Sequence, residues 1–256
     1  MLNWQAASLV FFAYLALVAE VRQGVAARKR LRVWAGAALG AAVSVASARL
    51  PPGGAASVWI LPPALLLLGY WTSGLLFVAP MPAVERRLIA IDTTVRIQAI
   101  AARVPRPIAE LLEFAYAGVY LLIPFALWIA TAAHVVPERF WTTILVVDYV
   151  CFGMLPWIET RPPRAFGLDA PWRSRWRRVN MRLVESGSIQ VNTFPSGHAA
   201  VALATALLLL GAPWPVIGLM FAAALAVAAG AVLGRYHYAA DAIAGWAVAL
   251  IVWGMT

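Results

Sequence analysis

The sequence predicts an all-α fold, a polytopic bundle of about eight membrane-spanning helices. Three observations predict it. Of the 256 residues, 63% are hydrophobic and 12% are charged, whereas a soluble domain is roughly half apolar and a quarter charged. The apolar residues fall in blocks of about 17 to 22, the length at which a helix crosses the hydrocarbon core. The basic residues, nearly all arginine, collect between the blocks.

The first apolar segment is 4–21. It lacks a basic region in front and is followed by Arg28, Lys29, Arg30 and Arg32, a pattern that speaks against a cleavable signal peptide. The second, 33–49, is rich in Ala, Gly and Ser and is the weakest; the third is 58–79. The stretch 80–111 mixes charge and aliphatics at helical spacing and is expected to lie along the interface. Segments 112–133 and 140–158 follow. The latter contains Asp148, a carboxylate costly to bury there and therefore a pointer to function. It also holds Cys151, the lone cysteine, so no internal disulfide forms. The connection 159–197 is the most polar part of the chain. In it Trp172 and Trp176 interleave with Arg173, Arg175, Arg177 and Arg178, and Trp favours the headgroup zone as Arg favours lipid phosphate. Segments 198–212, 215–233 and 238–255 complete the bundle.

The net charge of +9 would suggest nucleic acid in a soluble protein. Here the arginines sit between apolar blocks and no nucleic-acid signature is present, so the charge reads as topology and lipid phosphate. The expected partners are membrane lipids, with no nucleic acid; the sequence is silent on oligomeric state. Eighteen of the 20 Lys and Arg fall on one side of the expected membrane, with only Arg49 and Arg139 on the other. Basic asymmetry of this kind marks the cytoplasmic face.

Three short motifs emerge on that same face by parity of crossings. "ETRPPRAF" carries Arg161 and Arg164, "FPSGHAA" opens the sixth segment, and "GRYHYAADAIAG" joins the seventh to the eighth. A helix N-terminus offers unpaired N–H groups and a positive dipole end, which suit a phosphate. Ser196 can cap that end, and Gly197 lets backbone approach a ligand. Arg161 and Arg164 are always-charged planar donors for phosphoryl oxygens. His237 and Asp241 are four apart and share a helix face. The carboxylate can then hold one ring nitrogen and leave the other as a nucleophile. His198 can supply the proton a departing alkoxide needs. His134, on the opposite side, is expected to have no role. A structural ion pair, or a metal site built from two His and one Asp, are the rival readings; a metal would leave the arginines unexplained.

These motifs resemble those of the type 2 phosphatidic acid phosphatase superfamily, whose pattern reads K-x6-R-P, P-S-G-H and S-R-x5-H-x3-D. The second is intact at Pro195, Ser196, Gly197 and His198. The third keeps His237 and Asp241, and the first keeps Arg161 and Pro162. The family Lys and Arg fall on Met154 and Ala231, leaving Arg164 and Arg235 as nearby replacements. The "RPPR" wording is similar to the branch containing inositol phosphorylceramide synthases. The resemblance implies an N-terminal transmembrane hairpin, 1–57, before a six-helix catalytic core, 58–256. It implies His237 as nucleophile through a phosphohistidine, Asp241 as its orienting group and His198 as acid. Arg161, Arg164, Ser196, Gly197 and Arg235 would bind phosphate, with no metal and no cofactor.

The expected activity is hydrolysis of a lipid phosphate or a prenyl or diacyl lipid diphosphate, within lipid metabolism. The alternative is a phosphotransferase moving a phosphoryl-headgroup to a lipid or polyol hydroxyl. A non-enzymatic lipid transporter ranks below both, because no inverted repeat is visible. The expected location is a bacterial cytoplasmic membrane. The active face is cytoplasmic by the basic-residue count and extracytoplasmic by the resemblance.

Overall fold

The computed structural model describes residues 3–51 and 53–256. It is all-helical, and among the described residues no β-strand forms beyond an isolated bridge between Thr160 and Asn192. The α-helices are α1 Trp4–Val21, α2 Ala27–Ser47, α3 Leu61–Gly74, α4 Pro82–Thr94, α5 Ile97–Ala102, α6 Arg106–Ala132, α7 Pro137–Gly153, α8 Arg175–Gly187, α9 Gly197–Leu208, α10 Trp214–Leu233 and α11 Ala239–Met255. Each of the eight apolar segments of the sequence coincides with one of them: α1, α2, α3, α6, α7, α9, α10 and α11. Among the described residues four stretches are long and apolar enough to cross a membrane, namely Trp4–Val21, Ala56–Gly74, Arg106–Ala132 and Trp214–Leu233; α9 and α11 are shorter apolar helices.

Local chemistry explains several boundaries. Before α3 the chain winds a wide π turn over Ala56–Ile60. Pro62 has no N–H and its ring crowds the carbonyl four residues back. That carbonyl, on Val58, instead accepts from Trp141 Nε1 at 2.7 Å. The interfacial stretch expected over 80–111 becomes α4, α5 and the first turn of α6. The polar connection 159–197 contains a helix that its apolar content did not announce. Ser174 caps α8 by accepting from the Arg177 N–H at 3.0 Å.

α9 explains the bundle. Every residue in it except His198 is buried, because α6, α7, α10 and α11 all pack around it. A helix apolar on all sides belongs inside protein, so its 12 residues need not match a lipid thickness. Close approach of α11 depends on Gly245: a Cβ there would stand 2.5 Å from the Ser196 carbonyl oxygen. The N-terminal hairpin α1–α2 joins the same apolar core, with Phe11 of α1 stacked on Tyr149 of α7 at 4.1 Å.

The basic connections gather at one end. Arg22 pairs with Glu159 at 2.7 Å, and Glu159 also accepts the N–H groups of Val78 and Ala79. Lys29 donates to the Phe77 carbonyl, and Trp71 to that of Gly187.

Candidate active site

The site lies at this end, where α9 and α11 begin side by side. Ser196 precedes α9 as its N-cap. Its Oγ accepts from the Ala199 N–H at 3.4 Å, and its own N–H donates to the Asp241 carbonyl at 2.9 Å. The N–H groups of Gly197 and His198 find no acceptor among the described residues, so two donors and the helix dipole point out of the N-terminus.

On α11, Asp241 is fully buried in the first turn. Its Oδ2 accepts from the Tyr238 N–H at 2.9 Å and from His237 Nδ1 at 3.3 Å. A carboxylate acceptor fixes the proton on Nδ1 and leaves the Nε2 lone pair free. The His198 ring stands opposite, its centroid 6.1 Å from that of His237. Its Nε2 meets the Tyr120 hydroxyl at 3.2 Å. Its face stacks on Tyr116 at 4.9 Å, and Tyr116 stacks in turn on Tyr236 at 4.1 Å. Both histidines line one cavity of about 300 Å³, walled by α3, α6, α7, α8 and α9. The structure therefore brings His198, His237 and Asp241 together. His134 lies at the opposite end, between α6 and α7.

The arginines divide. Arg164 lines the cavity, its guanidinium 5.8 Å over the Tyr236 ring, with no carboxylate within ion-pair distance among the described residues. Burial draws its pKa down, so an arriving anion would restore what desolvation takes away. Arg161 is instead held by Glu85 of α4, Nε to Oε1 at 3.0 Å and Nη2 to Oε2 at 2.9 Å. Hydrogen bonding within this pair raises the Arg161 pKa and lowers that of Glu85. Arg235 is buried and bound to Asp92 of α4 at 2.7 Å. Of the five expected phosphate-binding residues, Arg164 and Gly197 line the cavity. Ser196 caps the helix from behind, and Arg161 and Arg235 face carboxylates away from it.

Sequence reasoning missed the network under α8. Glu113 of α6 is buried and accepts from Arg177 Nη1 at 2.9 Å, Trp172 Nε1 at 2.9 Å, Asn180 Nδ2 at 2.8 Å and the Tyr236 hydroxyl at 2.7 Å. Arg177 also pairs with Asp169 and donates to the Gly234 carbonyl. Burial and the nearby Glu113 carboxylate raise the Tyr236 pKa, so that phenol stays a donor. These bonds fasten α8 beside the cavity and tie it to the residue preceding His237. A signal existed: Glu113, Tyr116 and Tyr120 lie three and four apart and form a polar stripe on an apolar helix.

Asp148, singled out as a costly carboxylate, lines the same cavity and is 4% exposed. Among the described residues no three His, Cys, Asp or Glu side chains are grouped to hold a metal ion. The arrangement sets an imidazole held by a buried carboxylate against a second imidazole, their ring centroids 6.1 Å apart, beside an arginine and a helix N-terminus. A family model described as the PAP2 superfamily matches residues 80–255. No curated protein and no solved structure matches the chain.

Proposed function

Because the chain belongs to the PAP2 superfamily, we propose that it is an integral membrane phosphatase acting on a lipid phosphate or diphosphate through a phosphohistidine, without a metal. In this reading His237 Nε2 gives its lone pair to phosphorus and the bond from phosphorus to the lipid oxygen breaks. His198 passes its proton to that oxygen. Asp241 stabilises the imidazolium that forms on His237. Water, deprotonated by His198, then attacks phosphorus, and the P–N bond breaks to free His237. Arg164 and the N–H groups of Gly197 and His198 meet the equatorial oxygens, where charge builds in the transition state. The observation that carries the reading is the pair of imidazoles facing one cavity at 6.1 Å, one of them fixed by a buried carboxylate.

One observation favours a second reading, a phosphotransferase like those of the inositol phosphorylceramide synthase branch. Arg161 and Arg235 are neutralised by Glu85 and Asp92, and a monoanionic phosphodiester needs fewer cations than a dianionic monoester. A hydroxyl-bearing acceptor would then replace water in the second step. We further propose that all eight apolar helices cross the bilayer and that residues 58–256 form the catalytic core behind the 1–57 hairpin. The basic-residue count supports a cytoplasmic active face and the family resemblance an extracytoplasmic one. Labelling a cysteine placed at position 187 in a Cys151→Ser background decides between them.

The test is phosphate release by purified protein over a panel of lipid phosphates. His198→Ala and His237→Ala should each abolish release while the protein stays folded; retained release by either would contradict the assignment. Labelled lipid product without free phosphate would establish transfer.

A further inference from the structure

A phosphate-binding cavity gains nothing from a carboxylate, yet Asp148 supplies one. It sits within α7 at 4% exposure and lines the cavity that holds both histidines. It makes no hydrogen bond and no ion pair with any described residue. Other buried carboxylates at this end each have donors: Glu85, Asp92 and Glu113 hold arginines, and Asp241 holds His237. A buried carboxylate that opens on a cavity and has no partner among the described residues points to a partner that arrives with the ligand.

The surroundings describe that partner. The Asp148 Oδ1 atom lies 2.8 Å from where a Gly197 Cβ would stand, and the Phe152 ring edge lies 3.4 Å from the same point. Tyr70 packs on Phe152 at 5.4 Å between centroids, and Tyr120, which meets His198, lines the cavity beside them. One carboxylate among three aromatic rings is the chemistry that binds an ammonium group, by charge and by the negative ring faces. Gly197 belongs to both places, since its free N–H faces the phosphate position. The ammonium seat is therefore within a few bond lengths of phosphorus.

We infer that the cavity is built for a zwitterionic phosphate ester, with phosphate at Arg164 and the α9 N-terminus and an ammonium group three bonds beyond the ester oxygen at Asp148. The inference rests on the phosphatase reading for the phosphate position. Two sources carry this chemistry: a lipid monoester with an amine on the adjacent carbon, and a phosphodiester lipid with an aminoethyl headgroup.

The experiment measures binding of 2-aminoethyl phosphate, 2-hydroxyethyl phosphate and propyl phosphate to the purified full chain in detergent. The expected result is that wild type prefers the amine by about tenfold or more, the scale of a charged hydrogen bond, and that Asp148→Asn brings the ratio to about one. If the variant does not fold, the wild-type ratio alone decides. Equal binding of all three, equal binding of the hydroxyl and amine compounds, or a preference that survives Asp148→Asn overturns the inference. Turnover of the two lipid types then identifies the source. A preference without turnover would leave the seat standing and refute the phosphatase reading; turnover without a preference would do the reverse.

Discussion

Gly245→Ala should damage catalysis from outside the cavity. The new Cβ would stand 2.5 Å from the Ser196 carbonyl oxygen and 3.3 Å from the Ala200 backbone nitrogen, whereas ordinary contact begins at 3.4 Å. Both neighbours belong to the backbone at the start of α9, so no side chain can yield. α11 must retreat by about 0.9 Å. That movement stretches the bond from the Ser196 N–H to the Asp241 carbonyl, now 2.9 Å, and carries Asp241 and His237 away from His198. A misplacement near 1 Å costs roughly 10²-fold in rate, and the overpacking costs about 1–3 kcal/mol of stability. The assay is phosphate release from a lipid phosphate, read with thermal unfolding of the same preparation. Gly254→Ala, where a Cβ would meet nothing within 4 Å, serves as the control and should match wild type. If Gly245→Ala keeps the wild-type rate, the close packing of α9 and α11 does not set the distance between the imidazoles.

Arg164→Ala should lower kcat/KM by about 10²–10³-fold, the usual loss for one oxyanion donor, while thermal unfolding is little changed because Arg164 has no carboxylate partner to strand. Asp92→Ala should act the other way, costing about 3–5 kcal/mol by leaving the Arg235 guanidinium buried and unpaired, as read by denaturant unfolding. Tyr120→Phe removes the hydroxyl 3.2 Å from His198 and should cost up to about tenfold in kcat, the scale of a neutral hydrogen bond. Arg161 holds the Glu85 pKa below its ordinary 4.5. The pair's contribution is therefore fully present above that pH and is lost as pH falls through the depressed value. Glu85→Gln should flatten this acid limb in unfolding measured across pH.

The long apolar helices were legible because crossing a bilayer would demand such a length, and even short α9 showed itself by unbroken apolarity. Its shortness has a cause that composition does not carry, namely protein on every side. α8 was not legible as a helix, because the residues it turns inward include Arg177 and Asn180, polar groups that become buried only when Glu113 receives them. The two histidines and Asp241 could be read because His237 and Asp241 are one turn apart and His198 begins a helix. The fate of the arginines could not. Arg161 and Arg235 meet their carboxylates 76 and 143 residues away in the chain, and no local spacing reports such a pairing. Glu85 and Asp92 are seven apart on α4, two turns of one face, which makes α4 the element that withdraws two cations from the cavity.

The most direct measurement of the central claim is alkaline quenching of the purified protein during turnover of a phosphorus-labelled lipid phosphate, followed by peptide mapping. The account predicts an alkali-stable, acid-labile phosphoryl adduct on His237 that is absent from His237→Ala. Steady turnover with the label on another residue, or with His237 never modified, would contradict it.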